Sequence, residues 1–255
     1  MDLRELCADL VAEEGRGHTP FGLYLINGSD DRAEIGRAVE REVFYDYFGN
    51  SPTLLAEEYD RYDRSSLFIC MIDHTRNLPA GVFRLILPSE RGFKSFHDLE
   101  KDWGVTGEQI LRRADIDPES SLIWDLATLA ISRDYRGQSA SGLVHLGMLQ
   151  GLSMLGTRCG ISHLVAIIDL VVADLFQATF HRPLVAFPQV APKHYLGSGS
   201  SLPMYLDAEE YRSRLALIDA DSYELLFMGA GLEPMVSSPM PHPDSEVQEH
   251  WFRTA

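Results

Sequence analysis

A single carboxylate, Asp125, stands inside the apolar run Leu122 to Ile131 (LIWDLATLAI). In a regular strand it shares a face with Ile123, Ala127 and Leu129, and such a setting raises a carboxyl pKa toward values useful for accepting protons near neutral pH. The alternative is that Asp125 pairs with Arg84 and fixes the sheet. Arg84 lies in AGVFRLIL on a face with Val82 and Ile86. A charge there needs a partner, which Asp125, Asp60 or a carboxylate on a ligand can supply. In EYDRYD, Asp60 and Asp63 share one face of a short helix and can hold an ammonium group or simply be solvated. Downstream of Asp125, Ser132 to Gly142 is a polar loop of small residues that opens a helix. Unpaired amides and the helix dipole at such a place attract anions.

The elements that position these groups can be read from periodicity. Residues 1 to 20 form a short helix and a Gly-containing loop, and Phe21 to Asn27 (FGLYLIN) is a strand. Ile35, Val39, Val43 and Tyr47 recur every four residues as a helix stripe, ended by Gly49 to Pro52. A second helix, Thr53 to Tyr62, leads to a strand over Ser66 to Asp73 and a hairpin partner over Ala80 to Leu87. Residues 88 to 121 are a polar insertion with brief helical stretches. Leu122 to Ile131 is nearly continuous in apolar residues, as expected of a central strand. The following helix runs to Leu155 and is apolar almost all round, so it is buried. His163 to Asp169 is another core strand, Leu170 to Phe180 a helix, and Val185 to Phe187 starts a last strand region. The expected class is α/β (α+β), a mixed central sheet flanked by helices. The division expected is an N-terminal segment over 1–20, a main domain over 21–218, and a loosely packed tail over 219–255.

A formal net charge of −16 argues against nucleic acid or an anionic membrane as partner, because the phosphate interaction is repulsive. No apolar run has the length of a membrane span. The first residues lack the basic and apolar blocks of a secretory signal, so a cytoplasmic location is expected. The three cysteines share no spacing motif and read as reduced thiols, and the nine histidines show no metal spacing. No metal and no bound cofactor are expected.

Two resemblances add to this reading. Asp134 to Gly142 (DYRGQSASG), after a strand and opening a helix, resembles the pyrophosphate loop of the GNAT acetyltransferases. Arg136 matches that loop; Ser139 and Ser141 stand where Gly or Ala is usual. The stretch Arg37 to Arg136 resembles the autoinducer (acyl-homoserine lactone) synthases and their relatives, the long-chain N-acyl amino acid synthases, which are GNAT-fold bacterial enzymes. Glu40–Arg41 with Phe44 fall where those families place an Arg and a Phe on the first helix. Glu58, Asp60 and Asp63 match their acidic motif, Arg84 their strand arginine, and Asp125 a strand carboxylate near the amine. Thr128 replaces an Arg of the autoinducer synthases, and their Trp is missing near Asn50. Those departures point away from S-adenosylmethionine as acceptor and toward the amino acid synthase branch.

The resemblance implies transfer of a medium or long acyl chain from an acyl carrier protein or acyl-CoA thioester to the amine of an amino acid or similar metabolite. Acyl-ACP or acyl-CoA is then a co-substrate, and acyl carrier protein a partner. Asp125 is the expected catalytic base, and Glu58, Asp60, Asp63 and Arg84 are expected to bind the acceptor. Leu126, Ala127, Thr128 and Leu129, with Arg136, Gly137, Gln138, Ser139, Ala140 and Ser141, are expected to hold the pantetheine arm and phosphates. Phe176 and Phe180 are expected to line an acyl pocket. Many GNAT enzymes place a Tyr on the helix after the fifth main strand as acid for the thiolate; here that helix has only Phe176 and Phe180. Two alternatives are an acetyl-CoA-dependent acetyltransferase and a catalytically silent acyl-binding or regulatory module.

Overall fold

The computed structural model describes residues 2–136 and 141–239. Its centre is a mixed sheet whose strands run in the order β6-β8-β5-β4-β3-β2-β1-β9, with β7 paired to β8. The strands are β1 (Phe21–Asn27), β2 (Ser66–Asp73), β3 (Leu78–Ile86), β4 (Ile123–Ile131), β5 (His163–Asp169), β6 (Val185–Ala186), β7 (Lys193–Tyr195), β8 (Ser198–Asp207) and β9 (Val236–Ser237). Neighbours from β1 to β4 pair antiparallel, β4 and β5 pair parallel, and β5 pairs antiparallel with β8.

Alternation along the strands sends side chains to two cores. On one face Tyr24, Phe68, Cys70, Val82 and Ala130 pack against α1 (Leu3–Glu14) and α2 (Glu34–Phe48). The periodic Ile35, Val39 and Val43 are the buried stripe of α2, and Gly49 ends the helix at φ +67°, a conformation that glycine adopts without strain. On the other face Leu23, Ile69, Met71 and Phe83 meet α6 (Ser141–Cys159), with α7 (Leu170–Thr179), α8 (Ala208–Ile218) and α9 (Ala220–Phe227) alongside. Helix α3 (Pro52–Tyr59) starts with Ser51 as cap and Pro52 in its first turn. The segment between β3 and β4 folds as α4 (Lys94–Asp98), a π-helical turn and α5 (Gly107–Arg113), the last with a Thr106–Gln109 capping box. Leu99, Ile110 and Ile116 of this segment pack on Ile123 and Val165, which roofs the junction of β4 and β5.

Strand β8 (SGSSLPMYLD), which the periodicity does not mark, lies inside the sheet; pairing with β5 along its length overrides its weak local preference. One expectation is corrected. Residues 219–239 are not a loose tail. Helix α9 buries Leu226 and Phe227, and β9 pairs parallel with β1.

Candidate active site

The register between β3 and β4 slips at one point. Arg84 faces Thr128 and Leu85 faces Leu126, so Ala127 is an extra residue, a β-bulge. The bulge changes which side chains share a face. Asp125 lies with Thr128 and Ala130, not with Ala127 and Leu129 as a regular strand requires. Bulging also turns the Ala127 carbonyl toward α3, where the Tyr59 hydroxyl donates to it at 3.5 Å.

Asp125 has no exposed surface. Ser95 on α4 donates to it twice, from its backbone N–H at 2.8 Å and from its hydroxyl at 2.7 Å. Burial pushes the Asp125 carboxyl up to about 6, against the opposing pull of the Ser95 bonds and the Lys94 charge. The result is a carboxylate poised near neutrality, the property a proton acceptor for an amine needs. Around it lies a buried polar cluster. Lys94 is 2% exposed and donates to Glu58 at 2.8 Å, to the Tyr195 hydroxyl at 3.1 Å, and to Asp98. Its ammonium also lies 4.8 Å from the Tyr59 ring centre. Burial raises the Glu58 carboxyl, but its hydrogen bond and charge interaction with Lys94 outweigh this and leave it below its usual value.

Arg84, 1% exposed, is consumed by protein partners. It donates from Nε to Ser66 at 2.9 Å, from one terminal nitrogen to Glu40 at 3.3 Å, and from the other to the Tyr59 carbonyl and Asp63. Neither Asp125 nor Asp60 is its partner, contrary to expectation. Glu40 in turn accepts from Thr128, next to the bulge. Burial pushes the Glu40 carboxyl up, against the Arg84 charge. Asp63 also pairs with Arg37 at 3.3 Å, whereas Asp60 is exposed. The acidic motif is therefore split: Glu58 faces Lys94, Asp63 faces Arg84, and Asp60 faces solvent.

On the opposite face of the sheet, β4 and β5 pair only over Ile123–Asp125 and His163–Val165. Beyond that point the ladder stops. A cavity of about 570 Å³ lies against the paired segment and reaches the end of the ladder at Leu126 and Ala166. Leu126 from β4, Leu164 and Ala166 from β5, Leu149 and Leu152 from α6, and Phe176 and Phe180 from α7 line it. Helix α9 closes it with Leu226 and Phe227. Leu129 packs against the same core beyond the cavity.

At the top of β4, Arg136 donates from Nε to the Ile131 carbonyl at 2.7 Å and lies over the Tyr47 ring at 4.5 Å. One of its terminal nitrogens is buried without a hydrogen-bond partner among the described residues. Gly137, Gln138, Ser139 and Ala140 lie outside the described residues, and Ser141 is the first residue of α6. Arg133, on the turn after β4, is tied to Asp46.

Sequence reasoning did not find Ser95, Lys94, Asp98, Tyr59 or Tyr195. They come from the irregular insertion, from α3 and from β7, and nothing in their spacing marks them.

This combination of a bulged strand, a parallel pair that parts after three residues and helices on both faces is a GNAT-like fold. No family model and no curated protein matches the sequence. Among solved structures the chain is similar to FeeM, an N-acyl amino acid synthase from uncultured soil microbes. The TM-score is 0.59 at 14% identity, over 80% of this chain and 99% of that one. It also matches the acyl-homoserine lactone synthase LasI at TM-score 0.49 and 14% identity, over 74% of this chain and 91% of that one. A third match is TofI in an apo form, with TM-score 0.48 and 20% identity over 80% and 98%. No helix among the described residues is long and apolar enough to cross a membrane.

Proposed function

We propose that the chain is an N-acyltransferase that moves a medium or long acyl chain from a carrier thioester to the amine of an amino acid or similar small metabolite. The observation that carries this reading is the apolar cavity of about 570 Å³ that reaches the end of the β4–β5 ladder at Leu126 and Ala166, next to the bulge at Ala127, with the poised carboxylate of Asp125 on the other face of the same strand. An acetyl group needs no such volume, so the cavity favours a long chain over acetyl. The thioester carbonyl would sit at the bulge, where backbone amides released from the ladder can stabilise an oxyanion. The pantetheine arm would run between the parted strands past Leu126, Ala127, Thr128 and Leu129, toward Arg136 and the loop that follows.

The acceptor would approach from the Asp125 face. There five carboxylates (Glu40, Glu58, Asp63, Asp98, Asp125) meet two buried cations, Arg84 and Lys94, while Arg37 and Lys101 lie at the rim. Of the five, Asp125 alone is in no salt bridge among the described residues, so an ammonium group arriving there meets a carboxylate not already paired with a cation. A free α-amine with a pKa near 8 is about one-tenth neutral at pH 7, so proton removal to the Asp125–Ser95 pair would raise the reactive fraction.

The reading predicts thiol release that depends on added amine. Acetyl, dodecanoyl and hexadecanoyl thioesters would be offered on CoA and on acyl carrier protein, with pooled amino acids as acceptors. Amine-dependent release with the long-chain donors supports the proposal. Release that ignores the amine indicates a thioesterase and overturns it; release with acetyl alone makes the enzyme an acetyltransferase.

A further inference from the structure

Acyl transfer to an amine makes a thiolate, and that thiolate must find a proton. Helix α7 offers only Phe176 and Phe180 at the cavity, and neither can donate one. A titratable group does stand behind them. His145 lies on α6 on the same stripe as Leu149, Leu152 and Ser153, all of which line the cavity. Its ring meets both phenylalanines edge-on, 5.1 Å from the Phe176 centre and 5.7 Å from that of Phe180. Nε2 of His145 is buried and has no hydrogen-bond partner among the described residues. A buried polar atom left in that state costs about 1–3 kcal/mol, which a bound substrate atom could recover.

We propose that His145 carries the proton from the attacking amine to the departing thiolate. This inference rests on the acyl-transfer reading above. Asp125 takes the first proton, turning the ammonium into a free amine; once the amine nitrogen has bonded to the thioester carbon, the second proton it must lose passes to the unpaired imidazole nitrogen. The carbon–sulfur bond then breaks, its electron pair leaves on sulfur, and the imidazolium returns the proton to that sulfur. Amide and free thiol are the products, and His145 ends neutral, as it began. Burial holds the His145 pKa below its usual value, so the imidazole starts unprotonated and its cation is a strong donor. Phe176 and Phe180 shield the nitrogen from water, and their rings must give way for sulfur to reach it.

The test varies the leaving group. Wild type, His145→Gln and His145→Phe are compared on dodecanoyl-pantetheine and on a dodecanoyl thioester of 4-nitrothiophenol, with pooled amino acids as acceptors. The aryl thiolate leaves without a proton. The expected result for both variants is a loss on the order of a hundredfold or more with the pantetheine donor, and less than about threefold with the aryl donor. Equal losses on the two donors would mean that His145 only packs against the phenylalanines; no loss on either would also overturn the proposal. The phenylalanine variant retains the ring, so a loss specific to pantetheine cannot come from a collapsed cavity. Wild type inactive on both donors would sink the acyl-transfer reading itself, a result visible before any variant is made.

Discussion

Ser95 holds both oxygens of Asp125: its backbone N–H reaches one at 2.8 Å and its hydroxyl the other at 2.7 Å, across 30 residues of chain. The insertion between β3 and β4 is therefore part of the site. It roofs the strand junction and also sets how far the carboxylate's pKa can rise, because two donors to the charged form oppose the effect of burial.

Removing the Ser95 hydroxyl leaves one donor. Ser95→Ala should raise the Asp125 pKa further and move the acidic limb of the kcat/KM profile to higher pH, with a stability loss of about 1–2 kcal/mol. A pH-rate profile checks it; an unmoved limb would show that Asp125 is not the titrating group.

Asp125 also makes a stability prediction. Its folded pKa of about 6 lies above the usual 3.8, so folding favours the protonated form. The wild type should therefore lose stability relative to Asp125→Asn as pH rises from about 4 to 7, on the order of 3 kcal/mol in total. Urea unfolding of both proteins across that range measures the difference. Parallel curves would contradict the buried, raised carboxyl. The variant should be more robust at pH 7.5 and inactive.

Arg84 is a structural residue in this account. Replacing it with Met leaves Glu40 and Asp63 without their buried cation and should destabilise the protein by about 3–5 kcal/mol. Arg84→Met combined with Glu40→Gln should recover part of that loss, because an uncharged pair needs no compensation. Thermal melts of the two proteins decide this; no recovery would mean that Arg84 is held chiefly through Ser66 and Tyr59.

The cavity gives a specificity prediction. Ala166 lines it from β5, and Ala166→Leu adds three carbons to the wall. The variant's kcat/KM for hexadecanoyl donors should fall by on the order of tenfold or more, with shorter chains affected less. A uniform loss across chain lengths would place the acyl chain elsewhere.

The main strands and helices up to β5 could be read from the sequence because their patterns are strong. Ile35, Val39 and Val43 mark α2, and the LIWDLATLAI run marks β4. What could not be read depends on tertiary pairing. Strand β8 carries Ser198, Gly199, Ser200 and Pro203, a composition that reads as a turn, and it becomes a strand only because β5 presents a ladder to it. The bulge at Ala127 leaves no trace in the residue pattern, yet it decides that Thr128, not Ala127, shares the Asp125 face. Arg84 was recognisable as a buried charge in need of a partner. Which partner it takes depends on where α2 and the turn carrying Asp63 come to rest.

The central claim is transfer of a long acyl chain to an amine, and the most direct test is to identify the product. Wild type and Asp125→Asn would each receive hexadecanoyl acyl carrier protein, hexadecanoyl-CoA or acetyl-CoA with pooled amino acids, and the mixtures would be read by mass spectrometry. The account predicts a hexadecanoyl amide of one or a few amino acids from wild type, at least about a hundredfold less from the variant, and little acetylated product. Acetylated amines alone, or equal product from both proteins, would contradict it.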